Sequence, residues 1–289
     1  MSQSTASQDR LTETAYWDSL YDPAAASAAR RPPSRTKALL RRLVGPKVRE
    51  LVQDYREYLV WNTVYPQHLS GRKGARVLEV GSAPGTHLVQ LHQTYGLECY
   101  GVEYTPRGAE LNKRVFQQHG LDPAKVIQAD FFSPEFQARY RAYFDVVFSR
   151  GFIEHFRDVD GVVSAHLNVL APGGLLFVSI PNLRGINYGL ALLFCKERLP
   201  LHNLTIMKRE RFSKLFDVKG LTPLHCGYFG GVNLHIVDTT TTRLKRLGLA
   251  VCAKAQLPVN LAYRVLRKRG GAEHPWFSSH LVFLGRKER

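Results

Sequence analysis

An apolar run that ends in glycines constrains the fold of this chain more than any other feature. Residues 76–80 (Arg-Val-Leu-Glu-Val) have the composition of a buried strand, and Gly81 and Gly85 follow before helix-compatible sequence resumes at Thr86. Glycine permits backbone angles that side chains forbid and lets a ligand approach the main chain. The helix that follows offers unpaired N–H groups at its start. The segment therefore predicts a buried parallel strand that turns sharply into a helix.

Further strand-like runs follow at a regular spacing, at residues 97–103, 126–130, 143–149 and 170–182. Helices are predicted between the strands, at about 84–95, 107–119 and 158–170. This alternation implies right-handed crossovers and a parallel sheet, with any ligand at the carboxyl ends of the strands. The second strand ends at Glu103, about twenty residues after the glycines, where nucleotide-binding folds hold a ribose diol. The third strand ends at Asp130.

From residue 76 to residue 182 the chain resembles the class I S-adenosylmethionine-dependent methyltransferases in the order, spacing and strand-end chemistry of its elements. It is most similar to the small-molecule branch, which includes ubiquinone-biosynthesis and sugar methyltransferases, because the fourth strand leads into Phe-Ile-Glu-His-Phe at residues 152–156. The resemblance implies S-adenosylmethionine as cofactor and a Rossmann-like, doubly wound, seven-stranded α/β sheet with an antiparallel last strand. Ala83 departs from the pattern, since many relatives have a third glycine there.

The resemblance also implies a cofactor site at the strand ends. Glu103 is expected to accept hydrogen bonds from the ribose diol, and Asp130 to accept one from the adenine amine. Glu79 is expected to orient the glycine loop or the amino end of the cofactor. Asp130 could instead cap the helix that Ser133 and Pro134 begin. The candidate cofactor-binding residues are Tyr16, Trp17, Glu79, Gly81, Ser82, Ala83, Gly85, Glu103, Tyr104, Asp130, Phe131, Phe132, Ser149, Arg150 and Gly151.

His155 is the candidate general base of an O-methylation. Methyl transfer is an in-line displacement, and a hydroxyl nucleophile must also lose its proton. An unperturbed imidazole, with a pKa of about 6.5, can accept that proton at neutral pH. A structural histidine that shapes the cofactor pocket is the alternative. Arg150 could bind an anionic group of the substrate or pair with Glu154.

The expected organisation has five parts: a disordered tail at 1–15, a helical N-terminal extension over the cofactor site at 16–70, the methyltransferase core at 71–182, a substrate cap insertion at 183–245, and the last strands of the core at 246–289. The extension contains a proline-rich linker at 23–36 and a helix from Pro46 to near Pro66. The last two strands are predicted at 249–253 and 279–284 as an antiparallel hairpin. Candidate substrate-binding residues are Tyr188, His202, Asn203 and Tyr228.

Charge is the unusual global property of this chain. The formal net charge is +16, and residues 30–49 contain eight basic residues and no acidic one. A second basic cluster comprises Arg264, Arg267, Lys268 and Arg269. Basic surfaces attract polyanions, phosphorylated substrates or anionic membranes, although a solvated face is an equal alternative.

Other features limit the classes of protein to consider. Four widely spaced cysteines predict reduced core residues and no metal site. No apolar run reaches the roughly 18 residues of a membrane span. With no visible secretory signal, a cytoplasmic location is expected.

These patterns favour a methyltransferase that acts on a small molecule, with oxygen as the acceptor and with an anionic or phosphorylated substrate as one option. A C- or N-methyltransferase of a natural product or prenyl diphosphate stays open, as does a non-enzymatic cofactor-binding protein. An RNA methyltransferase is a further alternative, since the Ala-Pro-Gly turn at 83–85 is similar to that of ribosomal 2′-O enzymes. The acid and lysine that end the fourth and fifth strands of those enzymes are absent here, so nucleic acid is not the expected partner.

Overall fold

One seven-stranded sheet forms the centre of the protein, of which the computed structural model describes residues 9–21, 54–234 and 242–289. The strands are β1 (Arg76–Val80), β2 (Glu98–Glu103), β3 (Val126–Gln128), β4 (Phe144–Arg150), β5 (Leu170–Pro181), β6 (Leu221–Phe229) and β7 (His280–Lys287). Their order is β3-β2-β1-β4-β5-β7-β6, and β7 is antiparallel to both of its neighbours. The predicted α/β fold with an antiparallel last strand is confirmed.

Helices cover both faces of the sheet and follow the predicted positions in the core. They are α1 (Thr14–Leu20), α2 (Tyr55–Leu59), α3 (Tyr65–Leu69), α4 (Thr86–Tyr95), α5 (Pro106–Gln118), α6 (Pro134–Arg139), α7 (Val159–Val169), α8 (Ile186–Phe194), α9 (Arg209–Lys214) and α10 (Arg243–Leu266). Short 3₁₀ turns lie at Pro123–Lys125, Ile153–His155, Lys196–Leu201 and Leu204–Met207. Side-chain caps from Thr105, Ser133 and Asp158 fix the starts of α5, α6 and α7.

The central strands are apolar on both sides because helices cover both faces of the sheet. Side chains alternate along a strand, so Leu78 and Val147 enter one hydrophobic cluster while Val77 and Val146 enter the other. All four side chains are fully buried. The strand order reverses between β1 and β4, which opens a crevice at the carboxyl ends of these strands.

The predicted strand at 249–253 is wrong, because these residues lie within α10. The edge strand is β6 instead, inside the region expected to form only a cap. Four of the nine residues of β6 are exposed. Among the described strands β6 pairs with β7 alone, and the pairing is irregular between Pro223 and His225. An edge strand with a proline and polar side chains lacks the apolar alternation that identifies a strand in a sequence.

Residues 9–15, expected in a disordered tail, are held against the segment that follows β4. Arg10 and Phe156 form an antiparallel bridge. The Leu11 N–H donates to the His155 carbonyl at 2.7 Å, and the Arg157 N–H donates to the Asp9 carbonyl at 3.0 Å. These backbone bonds order a polar segment that has little apolar area to bury.

The helix predicted to end near Pro66 continues to Leu69. A widened π-helical turn at Val60–Val64 joins α2 to α3 just before the proline, which has no N–H to donate. Tyr65 and Leu69 pack in the cluster that contains Val77, so this helix lies against β1 as predicted. The predicted linker at 23–36 and the basic run at 30–49 lie outside the described residues.

Gly85, which precedes α4, allows a test of how closely the turn packs against Asn112. Gly85 has φ of +89°, and an added Cβ would collide with Oδ1 of the buried Asn112. Gly120 has φ of +74°, and its Cβ would meet nothing within 4 Å. We expect Gly85→Ala to lower the free energy of unfolding by about 2–5 kcal/mol and Gly120→Ala by about 1–2 kcal/mol. Urea unfolding measures both, and equal losses would contradict the crowding at Gly85.

Candidate functional site

A cavity of about 200 Å³ opens where β1, β2 and β4 end, at the crevice in the sheet order. The N-terminal segment, the strand ends and the turn after β4 form its walls. Its lining residues are Arg10, Thr12, Trp17, Tyr21, Val80, Gly81, Ala83, Val102, Glu103, Tyr104, Ala129, Phe131, Arg150, Gly151, Phe152, His155 and Phe156.

The structure brings many of the predicted cofactor residues together at this cavity. Those that line it are Trp17, Gly81, Ala83, Glu103, Tyr104, Phe131, Arg150 and Gly151, together with the candidate base His155. Seven other predicted residues do not line this cavity, namely Tyr16, Glu79, Ser82, Gly85, Asp130, Phe132 and Ser149. Tyr16 instead contacts Trp17 edge to face, and the Ser149 hydroxyl is buried in the sheet.

Glu103 presents a buried and oriented carboxylate to the cavity. Its Oε1 accepts the Thr105 N–H at 3.0 Å and the Thr105 hydroxyl at 2.8 Å. Burial raises the pKa of Glu103, while hydrogen bonds from the backbone of Thr105 and Ala83 oppose that rise. A carboxylate has about four acceptor positions, so a ligand hydroxyl can still donate to this group.

Residues 81–85, the glycine loop, face two different surroundings, since some of them lie at the cavity and others contact α5. Gly81 has φ of +69°, and an added Cβ would lie 3.1 Å from the Phe152 ring. The Ser82 hydroxyl points away from the cavity and accepts a hydrogen bond from Asn112 Nδ2 at 2.6 Å. Gly85 also faces Asn112. Gly81 and Ala83 are therefore the loop residues that a ligand in the cavity can approach.

Asp130 is engaged by the N-terminal segment. Its Oδ1 accepts a hydrogen bond from Arg10 Nη2 at 2.8 Å and another from the Phe132 N–H at 3.0 Å. The Arg10 guanidinium lies over the Tyr104 ring, 4.4 Å from its centroid, and 5.8 Å from that of Phe132. The hydrogen bond that an adenine amine is expected to donate to Asp130 stays a prediction, and in the structure Arg10 donates to this carboxylate.

A charge network lies behind the ends of β1 and β4. Arg150 is 3.4 Å from Glu57 Oε1 and 3.8 Å from Glu79 Oε1, and it does not pair with Glu154. Glu79 also contacts His87 Nδ1 at 3.1 Å, while His87 Nε2 meets the Tyr65 hydroxyl at 2.8 Å. Burial opposes ionisation of Glu57, yet the neighbouring guanidinium groups hold its pKa below the usual value. Arg150 is thus fixed as a paired cation at the cavity wall.

His155 lines the cavity as a neutral imidazole with a defined tautomer. Its Nδ1 lies 2.7 Å from the Leu201 carbonyl, which can only accept, so Nδ1 carries the proton and Nε2 has the lone pair. Burial lowers the pKa of His155 to about 4, and His202 adds to this effect. Trp17 contacts the ring edge to face, with centroids 4.9 Å apart.

Glu154 is a fully buried carboxyl beside this histidine. Its Oε1 lies 4.0 Å from His155 Nε2, and its Oε2 has no hydrogen-bond partner among the described residues. Burial raises the pKa of Glu154 to about 8, so the group is mainly neutral at physiological pH. Asn203 holds the cap against this turn, because its N–H donates to the Glu154 carbonyl at 2.6 Å and its Nδ2 to the Phe156 carbonyl at 3.0 Å.

A second cavity of about 230 Å³ lies between the end of β5 and α8. His202 lines it, and the centroids of the His202 and His155 rings are 4.7 Å apart, so the histidine pair stands between the two cavities. The other predicted substrate residues do not line it: Tyr188 is 41% exposed, and Tyr228 packs against the main hydrophobic cluster from β6. Asn203 holds the cap rather than facing either cavity.

The histidine pair also brings possible metal ligands together. Ligand atoms of Glu154, His155 and His202 lie within 4.8 Å of one another. Carboxylate and imidazole are both common ligands of divalent metals, so the prediction that no metal is bound stays a prediction.

Sequence reasoning missed several cavity residues in the N-terminal segment, namely Arg10, Thr12 and Tyr21. Ser, Thr and Gln residues made the tail at 1–15, with Arg10 and Thr12, look unstructured, and the weak signal against that interpretation was Leu11 within a polar run. Tyr21 lies in the extension that was expected to cover the cofactor site, but it was not named there as a contact. Phe156 follows the Glu-His pair and forms an apolar wall of the cavity, a role that its position in the motif could have indicated.

The comparisons with known proteins agree with this geometry. A family model described as a methyltransferase domain matches residues 48–225. The chain is 26% identical over 200 residues to a ubiquinone biosynthesis O-methyltransferase from Mesorhizobium japonicum, over 68% of this chain and 74% of that protein. It is 32% identical over 120 residues to the enzyme of the same name from Brucella anthropi, over 42% of this chain. The chain spans only 46% of that Brucella relative.

Solved structures share the fold at low sequence identity. A phosphoethanolamine N-methyltransferase 2 from Haemonchus contortus, in complex with S-adenosyl-L-methionine, has a TM-score of 0.51 and 17% identity, over 81% of this chain and 56% of that one. The [4+2]-cyclase SpnF has a TM-score of 0.50 and 16% identity, over 81% and 79%. Since a cyclase shares this fold, the fold alone does not fix the reaction.

The cavity also fits the cofactor that the family implies. Glu103 offers a fixed carboxylate for a diol, and Phe131 provides an apolar wall. Gly81 keeps the space beside the Phe152 ring open, because a Cβ at this position would lie 3.1 Å from the ring. The family match covers more than half of the chain and includes these strand ends. This protein therefore belongs to the methyltransferase-domain family and is a class I methyltransferase that uses S-adenosylmethionine.

Proposed function

We propose that this enzyme methylates an oxygen atom of a small molecule, with His155 as the general base. The observation that carries the proposal is the histidine pair between the two cavities, with His155 on the cofactor side and His202 on the other. A substrate in the second cavity would reach the cofactor at this pair.

The proposed cofactor position follows the walls of the first cavity. Glu103 would accept hydrogen bonds from the ribose diol, Gly81 and Ala83 would lie against the methionine portion, and Phe131 would pack against the adenine. When bound, S-adenosylmethionine supplies an electrophilic methyl group on a sulfonium sulfur. The aromatic rings of Trp17 and Phe152 at the cavity wall can stabilise such a cation through their π faces.

The proposed proton transfer uses the Nε2 lone pair of His155. The Leu201 carbonyl fixes the Nδ1–H tautomer, so Nε2 can accept the proton of a substrate hydroxyl as its oxygen forms the new bond to carbon. The imidazolium that results lies close to Glu154 Oε1, at the 4.0 Å separation seen in the neutral state. Glu154 is neutral before this step, and the positive charge on His155 lowers its pKa, so Glu154 can then ionise and stabilise the imidazolium.

The substrate class follows from the second cavity and from the relatives. The named relatives are ubiquinone biosynthesis O-methyltransferases, which supports a hydroxylated small molecule as the acceptor. Arg198 and Asn187 line the second cavity beside His202. A guanidinium in the wall supports the proposal that the substrate has an anionic or phosphorylated group.

The ribose contact is tested by the affinity for the cofactor. We expect Glu103→Gln to weaken S-adenosylmethionine binding by about 10- to 100-fold, because it removes charge from a hydrogen-bonded acceptor. Isothermal titration calorimetry measures the affinity, with Glu135→Gln on the exposed side of α6 as the matched control. If Glu103→Gln binds the cofactor as tightly as the wild type does, the Glu103 carboxylate does not contact the ribose. Asp130→Asn in the same series tests the adenine contact.

The base is tested by turnover, measured as S-adenosylhomocysteine released with a panel of small hydroxylated aromatic compounds. We expect His155→Ala to lower kcat by roughly 100-fold or more, the usual scale for a general base. The wild-type rate should fall on acidification only near the lowered pKa of about 4. His166→Asn is the control, since His166 is equally buried, donates to the Val162 carbonyl and does not line the cavity. An unchanged kcat in His155→Ala would favour a carbon or nitrogen acceptor.

The neutral state of Glu154 is tested by stability against pH. The folded protein holds this proton up to a pKa of about 8, whereas the unfolded chain releases it near 4.5. Unfolding therefore becomes easier as pH rises through this window, by up to about 1.4 kcal/mol per pH unit from this group. We expect Glu154→Gln to lack this loss, so its stability relative to wild type should increase from pH 5 to pH 8, as measured by urea unfolding. A difference that stays constant with pH would show an ionised Glu154.

A further inference from the structure

α10 has an inverted distribution of polar and apolar residues. Gln256 and Asn260 face inward and are each only 1% exposed. Leu247, Val251 and Val265 face outward and are 63%, 59% and 63% exposed. A surface helix of a globular protein normally buries its apolar stripe and exposes its polar one. The orientation of α10 leaves the apolar stripe uncovered.

Hydrogen bonds hold the inner face of α10 in this orientation. Gln256 Nε2 donates to Asn260 Oδ1 at 2.7 Å and to the Val232 carbonyl at 3.1 Å, and Gln256 Oε1 accepts from the Leu234 N–H. The Arg264 guanidinium lies over the Tyr58 ring, 4.7 Å from its centroid. These partners lie within the protein, so a simple rotation of α10 that buried the apolar stripe would break them.

The exposed apolar residues lie on one side of the helix, which we call the outer face of α10. They form two groups at three- or four-residue spacing, with Leu244, Leu247 and Val251 in the first half of the helix and Leu261 and Val265 near its end. α8 adjoins it where Gly248 approaches the Phe194 ring, since an added Cβ would lie 3.2 Å from that ring. α8 also exposes large apolar side chains, at Ile186, Tyr188, Leu192 and Leu193. Contiguous apolar patches of this kind mark interaction sites.

The charge around the outer face indicates which kind of surface it can contact. Residues 243–269 contain no acidic residue. Apart from Arg264, which is buried against Tyr58, their basic residues are Arg243, Lys245, Arg246, Lys254, Arg267, Lys268 and Arg269. Lys254 is exposed and continues the spacing of the stripe between Val251 and Leu261. An apolar stripe rimmed by Lys and Arg matches an anionic lipid surface. A second copy of the chain would bring like charges together, which is unfavourable.

We propose that the outer face of α10 and the adjoining face of α8 form a docking surface for an anionic membrane. The apolar side chains enter the boundary between head groups and acyl chains, while the basic residues meet lipid phosphates. No helix in the described parts of the chain is long and apolar enough to cross a membrane, so the contact is in the plane of the surface. Because α8 also lines the second cavity through Leu190 and Ala191, the docked surface lies beside that cavity. The proposal does not depend on the acceptor chemistry.

Co-sedimentation of the full chain with lipid vesicles tests the proposal. We expect binding to vesicles of phosphatidylglycerol mixed with phosphatidylcholine, and binding that is weaker by about tenfold or more to pure phosphatidylcholine or at high salt. Leu247→Glu and Lys254→Glu should each weaken binding to the anionic vesicles, the first by about tenfold or more. Val218→Glu is the matched control, because Val218 is 41% exposed and lies outside α8 and α10. Circular dichroism and cofactor titration should be unchanged in all three variants.

Two results would overturn the proposal. One is binding to anionic vesicles that Val218→Glu weakens as much as Leu247→Glu does, which would assign the attraction to the net charge of the chain. The other is no vesicle binding at all, with light scattering that shows a dimer of the wild type and a monomer of Leu247→Glu. That outcome would assign the outer face to a second copy of the chain.

Discussion

The register of the parallel strands at the centre of the sheet determines where the strand-end groups of the site lie. Val80 pairs with Val102 on one side and with Ser149 on the other, so the three strands end at the same level. The next residues along each strand are Gly81, Glu103 and Arg150, and all three line the cavity. A slip of one residue would turn Glu103 to the other face of the sheet. The buried apolar side chains of β1 and β4 prevent that slip, so core packing and ligand geometry depend on the same pairing.

Charge is distributed unevenly around the cavity. On the side of β1 and β4, Arg150 meets two carboxylates, and each charge is offset by a neighbour. At the turn that follows β4, Glu154 and His155 are buried, and no charged group among the described residues lies close enough to hold either of them ionised, so both are neutral. Burial favours the neutral form of any unpaired group. A neutral acid beside a neutral base can exchange or share a proton, whereas the paired side is suited to electrostatic orientation of a ligand.

The sequence predicted the parallel core well because buried parallel strands are continuous apolar runs, and their ends fix the position of Glu103. Four features were missed for separate physical reasons. β6 is an exposed edge strand without apolar alternation, and the apolar run at 249–253 has no length or turn signal that separates strand from helix. The pairing of Arg10 with Asp130 joins residues 120 positions apart, and no local pattern encodes such a contact. Residues 9–12 are ordered by backbone hydrogen bonds to the turn after β4, which do not depend on side-chain type.

The same reasoning explains why α10 stands out energetically. Leu247, Val251 and Val265 are exposed on this helix, whereas Gln256 and Asn260 are buried. A satisfied hydrogen bond contributes about 1 kcal/mol, whereas burying a Leu or Val side chain contributes roughly 1.5–3 kcal/mol. Within the single chain, the hydrogen bonds of this orientation therefore contribute less stabilising free energy than burial of the apolar side chains would. Contact of the outer face with another apolar phase recovers that difference, and the surrounding basic residues favour a phase with an anionic surface.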